Sequence, residues 1–235
     1  MKPIGICRGF VDGLLSRCRP WLRPLQVIAT ALLLSGAPVG ASAREVAAAP
    51  AAGAHVYLLR GVLNIFSLGL DEIAAKLQQQ GINVTIANYL SWASLADEAA
   101  AEYRSGRTRT IVLVGHSSGA TSLPDMVARL DQQGVPVKLA IGLDSVFHTS
   151  LTGHVGRYIN FYIANGAGTP VARAKGFSGS LENVNVQNVP GVGHITIDKS
   201  QIMQQKVISA IDAVVFSRPK EGTVPKEASV TQKQQ

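Results

Sequence analysis

The sequence predicts an α/β domain: a mostly parallel, twisted sheet with helices on both faces. Three observations lead there. Apolar runs of strand length alternate with segments whose apolar residues recur at helical spacing. The strand-length runs are nearly continuous in apolar character, as is needed when both faces of a sheet are covered. Strand and helix also keep alternating along most of the chain, which favours parallel pairing through helical crossovers.

Each element has its own signal. Residues 55–60, HVYLLR, are an apolar run of strand length, followed by Gly61. Residues 70–80 carry Leu70, Ile73, Ala74 and Leu77 at helical spacing, and Gly81 stops the pattern. Residues 82–87, INVTIA, are a β-branched run and read as a strand. Residues 91–103 read as a helix with Trp92, Leu95, Ala96 and Ala99 on one face. Residues 110–114 are a strand rich in Val and Ile, and residues 118–133 a helix ended by Gly134. Residues 137–143, 158–164 and 184–187 complete the strands. The last helix spans residues 199–216, with Ile202, Val207, Ile208, Ile211 and Val215 apolar. Residues 145–157 and 165–181 read as irregular.

The first 43 residues of the 235 read as an export signal. Lys2, Arg8, Arg17, Arg19 and Arg23 face a single acid, Asp12, and residues 25–39 are mainly apolar. The segment closes on Ala41-Ser42-Ala43, a small-x-small cleavage pattern. Gly36 and Pro38 interrupt the apolar run, which is short for a membrane span. The basic part is long, so an uncleaved N-terminal anchor is the alternative. Cleavage gives an exported protein, periplasmic or secreted, with no stable membrane span. Residues 44–217 then form one domain, and residues 218–235, polar with two prolines, are expected to be disordered.

Charge and cysteine content narrow the function. Residues 44–235 hold 17 basic and 14 acidic residues, a net charge of +3 without a basic cluster, so no nucleic-acid partner is expected. Both cysteines, Cys7 and Cys18, lie in the signal, which leaves no disulfide and no thiolate metal site beyond it. No cofactor and no metal are expected, and no pattern sets an oligomeric state.

The chemistry centres on Gly115-His116-Ser117-Ser118-Gly119, a G-x-S-x-G pattern between a strand and a helix. A serine on so sharp a turn needs a strained backbone. Side chains two positions either side would collide, which is the reason for Gly115 and Gly119. The hydroxyl then projects at the start of a helix, where free N–H groups and the helix dipole favour developing negative charge. The rival reading is a glycine-rich turn without chemistry.

A nucleophilic serine needs a base, and the base an orienting acid. The histidines after Ser117 are His148, His154 and His194. His194 lies in the glycine-rich loop VPGVGHITID between the last strand and the last helix, from which a side chain can return to the top of the sheet. His148 and His154 follow an earlier strand and read as surface or substrate-contacting residues. His116 is expected to pack beside the nucleophile.

The carboxylates between Ser117 and His194 are Asp125, Asp131, Asp144 and Glu182. Asp125 and Asp131 lie along the following helix, and Glu182 precedes a strand, at the wrong end of the sheet. Asp144 directly follows KLAIGL, at a strand's carboxyl end, though an aspartate there can also simply cap a loop. The N–H groups of Ser118 and of Val62, in the loop after the first strand, are the expected oxyanion donors. Gly61 allows a close backbone approach there, and Arg60 is expected to form a salt bridge at the core rim, the alternative being contact with an anionic group of the substrate. Phe147, Leu151 and Phe177 are candidates for the lining of an acyl pocket, or for simple packing.

In this order LLRG, LVGHSSGA, IGLD and VGHITID resemble the α/β-hydrolase superfamily, and the size resembles its small, lid-poor bacterial lipases, esterases and thioesterases. The likeness covers roughly residues 54–216. It implies a serine hydrolase that cleaves a small-molecule ester or thioester through an acyl-enzyme, with short or medium acyl chains expected. Ser117 matches the nucleophile, His194 the base, Asp144 the acid, and Ser118 and Val62 the oxyanion donors. Two departures stand out. The usual His-Gly after the first strand is here Arg60-Gly61. The acid follows the strand immediately after the serine's strand, whereas most members place it one strand later, and NFYIANGAG at that later point has no carboxylate. The rivals are perhydrolysis or amide cleavage by the same residues, and a non-catalytic cell-envelope binding protein on this fold.

Overall fold

The computed structural model describes residue 51 and residues 53–217. The expected signal, residues 1–43, and the expected polar tail, residues 218–235, lie outside the described residues.

Strand β1 (Ala54–Arg60) shows why the runs are apolar throughout. Successive side chains of a strand point to opposite faces. Val56 and Leu58 join one core, with Leu70, Ile73 and Leu77 of α1 (Gly69–Gln79) and Met203, Val207 and Ile211 of α4 (Gln201–Val215). Tyr57 and Leu59 join the other, with Leu95, Ala96 and Ala99 of α2 (Trp92–Arg104) and Leu123, Met126 and Leu130 of α3 (Ser118–Gln132). Each fully buried Leu or Ile side chain contributes about 1.5–3 kcal/mol, so neither face can be left uncovered.

The remaining sheet strands are β2 (Asn83–Asn88), β3 (Thr110–His116), β4 (Val137–Leu143), β6 (His154–Tyr162) and β8 (Ser178–Asn185). Their order is β2-β1-β3-β4-β6-β8, and every pairing is parallel. Two short strands, β5 (Ser150–Leu151) and β7 (Ala172–Arg173), form a separate parallel ladder. The chain runs outward from β1 to β2, then crosses to β3 on the other side of β1. At that reversal the loops after β1 and β3 diverge and open a crevice at the carboxyl edge.

Two strands differ from expectation. β6 begins at His154 rather than residue 158, and β8 spans Ser178–Asn185 rather than residues 184–187. The residues 145–157 and 165–181 therefore contain β5, β7 and the starts of β6 and β8. The reason is exposure. β8 is an edge strand, and SGSLENVN is half-exposed or exposed throughout, so it carries little apolar signal. Glu182 accordingly lies inside β8, opposite Ile159, and its carboxylate pairs with Arg157 at 2.8 Å. No described helix is long and apolar enough to cross a membrane.

Ile141, in the fourth sheet strand, is fully buried in the α1–α4 core. Ile141→Ala should destabilise the domain by about 2–5 kcal/mol, read as a lower urea midpoint. An unchanged midpoint would contradict this core assignment.

Candidate active site

The turn after β3 is strained where the sequence said it would be. Ser117 has φ 58° and ψ −123°, a backbone that L-residues seldom adopt. Both flanking glycines are required by contact. A Cβ on Gly115 would lie 2.5 Å from the Gly119 carbonyl oxygen, and a Cβ on Gly119 would lie 2.0 Å from that of Leu59. The turn is pinned by Ser117 N–H to the Leu143 carbonyl (2.9 Å) and by Thr121 N–H to the Ser117 carbonyl (3.0 Å). Gly61 also matters, because a Cβ there would sit 2.9 Å from that of Ser117.

Three distant side chains meet at this turn. The Ser117 Oγ and His194 Nε2 are 3.0 Å apart. The His194 Nδ1 and Asp144 Oδ2 are 2.7 Å apart, a short bond of the charge-assisted kind. The carboxylate is fully buried, whereas the imidazole is 31% exposed and opens to solvent. Asp144 is held on its other oxygen by the Ile163 N–H at 2.8 Å, and its own N–H donates to Phe161 (2.8 Å). Its φ of 52° turns the chain sharply at the end of β4. The His194 loop is braced by Thr196, whose Oγ accepts from Gly193 N–H and donates to the Gly191 carbonyl, both at 2.8 Å.

Compared with protein-family models and with curated proteins, the sequence matches none. The site therefore rests on its own geometry.

Two clefts flank Ser117, with Val62 bordering both. One, of about 300 Å³, is lined by Gly61, Val62, Phe66, His116, His194 and Ile195. The other, of about 510 Å³, is lined by Val62, Tyr89, Ser118, Thr121, Val146 and Phe147. Val62 and Ser118 both line the second cleft beside Ser117. Phe147 lines the second cleft. Leu151 and Phe177 do not line either one: Leu151 is buried in the α2–α3 core, and Phe177 packs against that core with Arg173 over its ring at 5.0 Å. Leu151 is drawn inward because its strand, β5, packs against α3. Arg60 pairs with Asp71, as expected. His154 is exposed and bonds Ser178 (2.9 Å), away from the clefts, and His148 is exposed. Among the described residues no three His, Cys, Asp or Glu side chains gather as a metal site.

Sequence reasoning missed the groups behind the site. Ser67, fully buried, accepts from Gly61 N–H (3.0 Å) and bonds His116 Nδ1 (2.8 Å). His116 Nε2 lies 2.8 Å from the His194 carbonyl. Asp198, also fully buried, accepts from Gly69 N–H at the start of α1 (2.8 Å), while its other oxygen has no partner. Its only hint was its place four residues after His194. Ser67 carried none, because its role exists only once β1 and β3 are side by side.

Burial pushes the Asp198 carboxyl above its ordinary value, against the pull of His116 and Lys199. A carboxyl raised in the folded state contributes stability while protonated, at acid pH, and loses it as pH rises through the folded value. Asp198→Asn keeps an acceptor for Gly69 N–H and does not titrate. Its stability relative to the parent chain should therefore increase from acid to neutral pH, measured by urea midpoints. A relative stability that falls over that range would show that the carboxyl is not raised.

Proposed function

We propose that the chain is a serine hydrolase with an α/β-hydrolase fold that cleaves a carboxylic ester or thioester through an acyl-enzyme. One observation carries the reading: the unbroken path from Ser117 Oγ through His194 to Asp144, at 3.0 and 2.7 Å. The strand order and the placing of the serine turn at the switch between β1 and β3 agree with it. The reading includes export, on the strength of residues 1–43.

In this mechanism His194 Nε2 takes the Ser117 proton as the oxygen attacks the carbonyl carbon. The carbonyl oxygen becomes an oxyanion and is stabilised by the N–H groups of Ser118 and Val62. The tetrahedral species collapses, the bond to the leaving group breaks, and His194 returns the proton to it. Water then attacks the acyl-enzyme by the same route and releases the acid. Asp144 fixes the His194 tautomer and stabilises its positive charge.

The two clefts support a division of the substrate into halves. Because His194 must protonate the leaving group, that group occupies the cleft lined by His194, Phe66 and Ile195. The acyl chain then takes the cleft lined by Val146 and Phe147. An uncharged substrate is supported by the exposed apolar side chains that line the two clefts, Val62, Phe66, Phe147 and Ile195.

Ser117→Ala should lower turnover of p-nitrophenyl esters by about 10⁴-fold or more and abolish labelling by a fluorophosphonate. A variant as active as the parent chain ends the assignment, and a folded parent chain that resists the probe favours a binding protein. Val146→Trp should narrow the acyl cleft. Long-chain esters should lose about 10-fold or more in kcat/KM while acetyl esters hold theirs; an equal loss on both would place the acyl chain elsewhere.

A further inference from the structure

We infer that His116 is a positioning residue: one neutral imidazole that couples the loop carrying Val62 and the loop carrying His194 to the turn that carries Ser117. The inference rests on the hydrolase reading for its effect on turnover, but its structural part can be tested without it.

Hydrogen-bond chemistry sets the direction of the chain. The His194 carbonyl can only accept, so His116 Nε2 carries a proton and donates to it (2.8 Å). The Gly61 N–H can only donate, so Ser67 Oγ accepts from it (3.0 Å). With Nε2 protonated, a neutral imidazole has Nδ1 free as an acceptor, and the Ser67 hydroxyl donates to it (2.8 Å). The path runs in one sense, from Gly61 N–H through Ser67 and His116 to the His194 carbonyl, so that each bond polarises the next.

Neutrality follows from the surroundings. His116 is fully buried, and burial holds its imidazole below the ordinary value. The charged and titratable groups that face it are Asp198, His194 and Asp144, with Lys199 facing Asp198 in turn. Asp198 favours the charged form and His194 opposes it. The path therefore fixes the tautomer of a buried histidine that is itself no part of the proton transfer.

The ends of the path are what make it functional. Gly61 immediately precedes Val62, and the bonded carbonyl belongs to His194 itself. His116 immediately precedes Ser117. Two further ties join the same loops: Asp198 accepts from Gly69 N–H (2.8 Å), and Lys199 Nζ donates to the Phe66 and Ile195 carbonyls (3.2 and 2.7 Å). The imidazole links all three backbone pieces, reaching Gly61 through the Ser67 hydroxyl. The two rings also lie close, with centroids 5.3 Å apart.

Asparagine and glutamine separate the two halves of the imidazole. His116→Asn keeps an acceptor near Nδ1 for Ser67 and loses the donor to His194. His116→Gln keeps a donor near Nε2 and loses the acceptor. The readouts in the full chain are ester kinetics and the far-downfield proton resonance of His194 Nδ1–H against Asp144. In His116→Asn the resonance should shift or broaden, and kcat should fall by about 10²-fold with KM little changed, since a transition-state geometry has been lost. In His116→Gln the resonance should persist while kcat falls. Ser67→Ala should produce that same fall alone and add nothing to His116→Gln, the non-additivity of one shared path. Ser67→Ala removes a single hydroxyl and carries the test should either isostere fail to fold. Parent values of kcat and of the resonance in His116→Asn, or in Ser67→Ala a kcat equal to the parent's, would overturn the inference and leave the imidazole as packing. A parent chain that shows the resonance yet resists fluorophosphonate would count against the hydrolase reading alone, and the resonance in His116→Asn would still decide the coupling.

Discussion

The close approach of the first turn of α3 to the end of β1 is the constraint on which the rest depends. With Gly119 this near the Leu59 carbonyl, no side chain fits between the helix and the strand. The helix is pressed onto the sheet, and the backbone at Ser117 has to bend through φ 58° to enter it. Such a conformation costs on the order of 1–3 kcal/mol. Two apolar cores, one on each face of the sheet, offset that cost. The strain is therefore held by the fold as a whole and not by any local bond.

Around the bend, Val62, Asp144 and His194 sit on loops at the carboxyl edge, and each loop is fastened to its neighbours. Asp144 is held by Ile163 N–H from the end of β6. Gly168 passes so near the Asp144 carboxylate that a Cβ there would be 1.8 Å from it, which seals the carboxylate from water. The His194 loop is closed on itself by Thr196 and joined to the start of α1 by Asp198. These bonds use backbone groups that would otherwise be unpaired in partly buried loops, so satisfying the loops and positioning the site are one requirement.

The burial pattern separates the two carboxylates near the site. Asp144 is fully buried yet bonded on both oxygens, by His194 and by a backbone N–H. Asp198 is as deeply buried but has one oxygen unpaired, and burial raises its carboxyl. The first environment suits an acceptor held in one orientation opposite an imidazole. The second suits a structural tie between α1 and the His194 loop. The same side chain thus serves two purposes through the number of donors around it.

Much of this was legible in the sequence. Apolar periodicity located β1, β3, β4 and all four helices to within about two residues, because these elements are covered on the faces that the pattern describes. The G-x-S-x-G pattern, the Asp at the end of KLAIGL and the histidine before the last helix marked three side chains that the fold brings within 3.0 Å of one another in succession. The first part of the edge strand β8 escaped notice because its residues are exposed or half-exposed and mostly polar or small, whereas the β-branched run of the other edge strand, β2, was legible. The sequence left Leu151 and Phe177 open between pocket lining and simple packing, because nothing in its periodicity reveals the two short strands; both pack against the α2–α3 core. The sequence by itself determined the layered α/β plan and singled out the three side chains that meet at the turn, since both follow from local pattern and chain order. Only the tertiary structure decided which groups stand behind them. Ser67, His116 and Asp198 gain their roles from neighbours tens of residues away, and a hydrogen bond over that distance leaves no periodic trace along the chain.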